Sequence, residues 1–408
     1  MNPELARNPT TTSNAVANFA AKPKSQRTGV GLALSGGGYR AALFHLGALR
    51  RLNELGILQQ VTTVSSVSGG SILSAHLATR LAWPLAAPVL DWNTRVAQPF
   101  RTFTQVNIRN SPVFKRYLLP WNWFRQSVQV DTLASEYEKH LTHLKLATLP
   151  AQPNFVYNST DLAFGVNWMF ERSHMGDYQA GFIRPTPTDW PLSRSVAASS
   201  CFPPVFDPLP LEFKASQYSA GKAPPADDKI RESICLSDGG VYDNLGLEPI
   251  WKDHKTIIVS DGGALFDFDA DKNLIGHIKR YIAIPENQAL ALRKRWLISN
   301  FMSGELEGTY WGVGSLTANY GPSAPSGYSQ GMVTEIAKIR TDLDKFSDAE
   351  VSILENHGYL LAEAAVQQHL KGMVLANAPL RVPNPAWMVE SKAAPAIADS
   401  WKRKIFGH

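Results

Sequence analysis

GVGLALSGGGYRAALFHLGALRRLNELGIL, residues 29–58, and QVTTVSSVSGGSILSAHLATRLAW, residues 60–83, repeat one order of events. A short apolar or β-branched run leads into a turn of small residues, and a helical pattern follows. In the first unit Leu43, Leu46, Leu49, Leu52 and Leu55 recur at helical spacing until Gly56 offers a stop. In the second, SILSAHLATRLAW continues the turn as a helix. Two strand-turn-helix units in succession predict parallel strands with crossover helices, hence an α/β layered fold. Further strands are expected in NFVYNSTDL (154–162), SICLSDGG (233–240) and KTIIVSDGG (255–263), the last two ending in the same Asp-Gly-Gly.

The rest of the composition sets the frame. With 408 residues, 44% hydrophobic and 18% charged, the chain suffices for one large domain with insertions or two ordinary ones. A formal charge of +5 is mild for this length, and no dense Lys/Arg stripe marks a nucleic-acid partner. Cys201 and Cys235 are too few for a disulfide framework and lack zinc-site spacing, so they read as small buried hydrophobes in a reducing, cytoplasmic setting, with no metal or cofactor expected. Residues 1–27 read as a loose tail without the apolar segment of a secretory signal. No apolar stretch reaches the roughly 18 residues of a spanning helix. A soluble protein is expected, touching a membrane at most from outside.

Residues 82–150 change character. Aromatic residues including Trp83, Trp92, Phe100, Phe103, Trp121, Trp123 and Phe124 alternate with Pro84, Pro88, Pro99, Pro112 and Pro120. Such prolines oppose long regular elements, so this region reads as an insertion over the sheet, either a lid with an acyl-chain groove or an ordinary packed subdomain. KASQYSAGKAPPADD, within residues 214–230, reads as an exposed loop, and 376–408 as a C-terminal extension. FSDAEVSILENHGYLLAEAAVQQHL (346–370) reads as an amphipathic helix capped by Ser347 with Glu350 three residues on.

The chemistry lies in the turns. Gly36-x-Gly38-x-x-Ala41 matches a dinucleotide fingerprint, yet the second strand ends in Ser65, Ser66 and Ser68 where a ribose-binding acid belongs. A dinucleotide-binding oxidoreductase therefore remains only as an alternative. Consecutive glycines at a helix start can instead aim several N–H groups at an oxyanion, and such a loop needs a nucleophile opposite it. Ser68, two residues after Ser66 and two before Gly70, gives S-x-S-x-G in place of the nucleophile elbow G-x-S-x-G. The bland alternative is that Ser65, Ser66, Ser68 and Ser71 all merely cap and turn. A serine needs a base, and His45 and His76 fall inside the two helices. Asp238 is the better candidate, at the end of an apolar strand and followed by two glycines that permit close approach.

SGGGYRA, SSVSGGS and SDGGVYDN, in that order, resemble the three signatures of the patatin-like phospholipases, on the side of the group that includes cytosolic phospholipase A2. NSTDLAFG (158–165) and SRSVAASSCFPPVF (193–206) are similar to further family segments, so the resemblance runs from about Gly29 to about Gly263. It implies a three-layer α/β/α sandwich with a central, mostly parallel sheet. It also implies Ser68 as nucleophile and Asp238 as general base. Gly37 and Gly38, with Gly36 as a third, would donate to the oxyanion, and Arg40 would be a support or phosphate-facing residue. Ser66, Gly69 and Gly70 complete the elbow. Asp261, in VSDGG, lacks the Tyr242-Asp243-Asn244 continuation and is read as a decoy. The implied activity is lipid acyl hydrolysis through an acyl-enzyme, with a phospholipid or other lipid ester as substrate. A non-catalytic lipid-binding member of the family is the other alternative.

Overall fold

The computed structural model describes residues 21–118, 127–264, 274–376 and 378–402. Its strands are β1 (Val30–Leu34), β2 (Thr63–Val67), β3 (Asn154–Asp161), β4 (Val166–Phe170), β5 (Met175–Asp177), β6 (Gly181–Ile183), β7 (Leu209–Pro210), β8 (Tyr218–Ser219), β9 (Cys235–Asp238), β10 (Thr256–Asp261) and β11 (Glu307–Gly312). The longer helices are α1 (Gly38–Glu54), α2 (Gly69–Arg80), α3 (Gln98–Thr104), α4 (Asn110–Leu118), α5 (Val128–His140), α6 (Leu192–Ser200), α7 (Leu274–Met302), α8 (Gln330–Lys338), α9 (Asp348–His369) and α10 (Glu390–Ile397). The strands form one mixed sheet, ordered β11-β10-β1-β2-β3-β4-β5-β6-β8. Its centre, from β11 to β3, is parallel, and the wing beyond β3 is antiparallel.

Strand alternation builds the layers. On β1 and β10, Leu32, Leu34 and Ile258 face the main core with the leucines of α1, whereas Ala33, Ile257 and Val259 face a second cluster holding Leu297 of α7 with Leu245, Leu247 and Ile250. Both faces are covered, which is why the central strands read as continuous apolar runs. Each such leucine contributes roughly 2 kcal/mol by leaving water.

The helix over 348–369 begins as expected, with the Ser347 and Glu350 capping box in place. It is not amphipathic in use, because residues from Ala349 to Ala362 are buried on every side. α9 packs along α1, where a Cβ on Gly47 would overlap the Glu355 carbonyl and one on Gly358 the Phe44 carbonyl. The polar residues this buries are paired, Glu355 with Arg101, Glu350 with Arg340, and Asn356 with the Asn384 carbonyl at 2.8 Å. α10 adds Ala393 and Ile397 to the main core, so the C-terminal segment is packed into the domain.

Among its described residues the 82–150 region carries α3, α4 and α5; Pro112 falls in the first turn of α4, where no N–H partner is required, and Pro99 follows the wider π turn Asn93–Ala97 that runs directly into α3. Trp92, Phe100, Phe103 and Tyr137 join the main core. Pro120, Trp121, Trp123 and Phe124 lie outside the described residues, as do residues 1–20 of the tail and 403–408 of the extension. The 214–230 segment is exposed for much of its length but carries the edge strand β8, which pairs with β6.

Candidate active site

One edge of β3 serves two strands. Its first half pairs parallel with β2, ending at Val67 opposite Asn158, and its second half pairs antiparallel with β9, ending at Asp238 opposite Ser159. The other edge of β3 is taken by β4. β2 and β9 therefore approach each other tip to tip, and their C-terminal ends meet. Expected at the carboxyl end of a strand in a parallel sheet, Asp238 instead ends an antiparallel strand, and convergence on β3 is what brings it to Ser68.

Ser68 follows β2 immediately and has φ 50 and ψ −114, a conformation a side chain adopts only under constraint. The turn is tight on both sides. A Cβ on Gly69 would overlap the Gly38 carbonyl and one on Gly70 the Leu34 carbonyl, so those two positions admit no side chain. Ser66, where the usual elbow has glycine, has its side chain buried, donating to the Val156 carbonyl at 3.2 Å and accepting from Ser71 at 3.1 Å. Its hydroxyl ties the strand end to β3.

The glycine loop closes over this turn. A Cβ on Gly36 would lie 3.2 Å from the Ser68 Cβ. Gly37, with φ 134, and Gly38, with φ 56, turn the chain into α1, and among the described residues nothing accepts from their N–H groups. Both line a cavity of about 370 Å³ together with Ser68 and Asp238. Gly36 differs from the expectation: its N–H donates to the Asn244 carbonyl at 3.0 Å and is spent there. Arg40 is also not phosphate-facing. It is fully buried, donating to the carbonyls of Gly262, Ala337 and Ile339 at 2.8–3.2 Å, because α1 points this side chain back into the packed loops beneath the site. It supports the glycine loop from behind.

Asp238 is buried, and Oδ1 accepts the Gly240 N–H at 2.7 Å. Burial, with the Glu286 carboxyl across the cavity adding to it, pushes the acid up to about 7 against the opposing pull of Gly240 and the Ser68 hydroxyl. The hydroxyl is near enough to favour the charged form, yet no bond of full geometry joins the pair and Oδ2 is left without a partner. A carboxyl that ionises near neutrality beside a strained serine is suited to take that serine's proton. His45 and His76 do not compete: burial lowers both to about 4, and their ring nitrogens face Ser260, the Ser35 carbonyl and the Val96 carbonyl.

Asn244 closes the SDGGVYDN motif. Its side chain stands between Gly36, Gly240 and Gly263, where a Cβ on any of the three would crowd it. Long-range participants less visible in the sequence are Phe202 on the cavity rim and Glu286 and Arg293 of α7. Phe202 lies in the SRSVAASSCFPPVF segment just past the end of α6, whereas nothing patterned marked Glu286 and Arg293, since a helix wall contributes single residues at helical spacing. Among the described residues no group of three His, Cys, Asp or Glu side chains could hold a metal ion.

The patatin-like phospholipase family model matches residues 32–251, more than half of the chain. The chain belongs to the patatin-like phospholipase family. No curated protein sequence matches it. Human GIVD cytosolic phospholipase A2 superposes with a TM-score of 0.46 at 14% identity, covering 86% of this chain and 60% of that one. VipD from Legionella pneumophila gives a TM-score of 0.31 at 13% identity, covering 81% and 67%. This chain thus spans less than two thirds of the human protein it matches. The glycine pattern at Gly36 lies in the loop that closes over the Ser68 turn, and Ser65 and Ser66 spend their hydroxyls on the Gly246 and Val156 carbonyls. The glycine pattern does lie between β1 and α1, but the end of β2 holds these serines where a dinucleotide site would need an acid.

Proposed function

We propose that the protein is a lipid acyl hydrolase that works through a Ser68–Asp238 dyad. The observation that carries the proposal is the strained Ser68 turn, whose hydroxyl faces a carboxyl raised to about 7 inside the cavity that Gly37 and Gly38 also line. Asp238 accepts the Ser68 proton as the oxygen attacks an ester carbonyl. The negative charge that develops on the carbonyl oxygen is held by the Gly37 and Gly38 N–H groups at the start of α1. The protonated aspartate then gives its proton to the departing alkoxide. Water, deprotonated by the same aspartate, releases the fatty acid from Ser68.

The cavity suits an acyl chain on its Phe202, Val205, Phe206 and Leu290 side. Peripheral contact with a membrane is part of the same proposal. α7 lines the cavity with Glu286, Leu290 and Arg293, while Tyr281, Leu292 and Met302 on the helix are 58–84% exposed. No helix among the described residues is long and apolar enough to cross a membrane.

The test compares wild type with Ser68→Ala on a short-chain chromogenic ester, followed by mass spectrometry of products from a total lipid extract. Loss of about 10³-fold or more and the disappearance of released fatty acid is expected. Equal rates would end the proposal.

A further inference from the structure

The residue that connects the two halves of the dyad belongs to neither. α6 ends at Ser200, so the Ser199 carbonyl has no continuing turn to accept from. It accepts the Ser68 N–H at 3.1 Å and the Gly239 N–H at 3.3 Å. Those are the backbone of the strained serine and of the residue directly after Asp238. The Ser199 hydroxyl adds to the same joint: it accepts from the Ser68 N–H at 3.0 Å, donates to the Asn158 carbonyl at 2.6 Å and meets the Ser71 hydroxyl at 2.9 Å. Proton counting fixes the directions, because Ser199 gives its one hydrogen to Asn158 and Ser66 gives its own to Val156, leaving the Ser71 hydrogen to bridge Ser66 and Ser199. Asn158 closes the ring by donating to Ser65 Oγ at 2.9 Å and to the Ser66 carbonyl at 3.0 Å. Ser199 is wholly buried, so each of these contacts is made without water.

We propose that Ser199 is the positioning residue of the dyad: the end of α6 clasps the Ser68 turn and the Asp238 strand end together and so sets their separation. A φ of 50 at Ser68 persists only where the surroundings over-determine it, and Ser199 supplies two acceptors to that one amide. The tips of β2 and β9 share no ladder with each other, so β3 and Ser199 are what hold them in register. This inference rests on the reading of Ser68 and Asp238 as the dyad.

The experiment measures turnover per active site, with sites counted by stoichiometric labelling of Ser68 by a fluorophosphonate. Ser199→Ala keeps the carbonyl and loses the hydroxyl. Its kcat per labelled site is expected to fall about 10- to 100-fold with KM within twofold, and Ser199→Thr, which restores the hydroxyl, to recover most of the loss. A merely structural role would lower the fraction of labelled sites and leave kcat per site unchanged, and that result overturns the proposal. Should the alanine variant give no soluble protein, Ser199→Cys against Ser199→Thr decides: the cysteine, similar in size with a weak donor, must be the slower per site, and equality overturns the clasp. Unchanged rates in Ser68→Ala would instead sink the dyad itself, which keeps the two failures apart.

Discussion

Asp238 and Asp261 end two strands with the same four residues, Ser-Asp-Gly-Gly, and both carboxyls are buried. Their surroundings are opposite. Asp261 accepts from Lys294 Nζ at 2.5 Å, Tyr310 Oη at 2.7 Å and the Gly263 N–H at 2.9 Å. Although burial alone would raise it, the charge and hydrogen bonds of Lys294, with help from Tyr310 and Gly263, hold its acid below the usual carboxylate value. Asp238 has one firm donor, an open oxygen and an acid raised to about 7. One carboxylate is fully satisfied and charged at neutral pH, as a structural anchor between β10 and α7 should be; the other is under-satisfied and able to exchange a proton. Identical local sequence thus allows two roles, and the partners brought from α7 and β11 select between them.

Asp238→Asn should lower kcat/KM for an ester about 10³-fold while Asp261→Asn keeps activity per folded molecule within roughly tenfold. The reverse outcome would exchange the two assignments. In thermal unfolding the order inverts. Asp261→Asn leaves Lys294 without its partner and should cost about 2 kcal/mol, a discounted figure because the lysine is partly exposed.

The pH dependence separates them further. Asp238 holds its proton more tightly in the folded chain than in the unfolded one, where 3.8 is ordinary. Its contribution to stability is therefore complete at acid pH and is lost as pH rises towards 7, so Asp238→Asn should gain roughly 2 kcal/mol more over wild type at pH 8 than at pH 5. Asp261 is shifted the other way, with its contribution present above 3.8 and lost only as pH falls through its lowered folded value, so the Asp261→Asn deficit should be the same at pH 5 and pH 8. Wild-type hydrolysis should rise with pH through a midpoint near 7, following the base form of Asp238. The smallest effect belongs to Glu286→Gln. Removing that carboxyl should move the midpoint slightly downward, and an upward shift would show that Glu286 does not act on Asp238 by charge.

Much of this was legible in the chain. The two strand-turn-helix units became β1–α1 and β2–α2, and Ser68 falls at the turn where the small residues placed it. Local sequence suffices there, because a run of apolar residues, a glycine turn and a leucine stripe are each short-range signals. The antiparallel wing was less visible, since β5 to β8 have only two or three residues each and carry no periodicity to read. The burial of α9 on every side escaped for a related reason: its glutamates and Asn356 look like a solvent face until Arg101, Arg340 and Asn384, distant in sequence, are brought to meet them.

By itself the sequence determined which residues had the chemistry: a serine in a turn of small residues, consecutive glycines at a helix start, and two aspartates at strand ends. These are properties of residue type and near neighbours. The residues after each Asp-Gly-Gly already favoured Asp238 over Asp261; only the tertiary structure decided how Asp238 reaches the serine, that Gly36 and Arg40 spend their donors on carbonyls, and that the end of α6 joins the two strand tips. Each of those outcomes depends on partners that β3, α6 and α7 carry in from elsewhere in the chain, where burial, charge and hydrogen bonding are settled by packing.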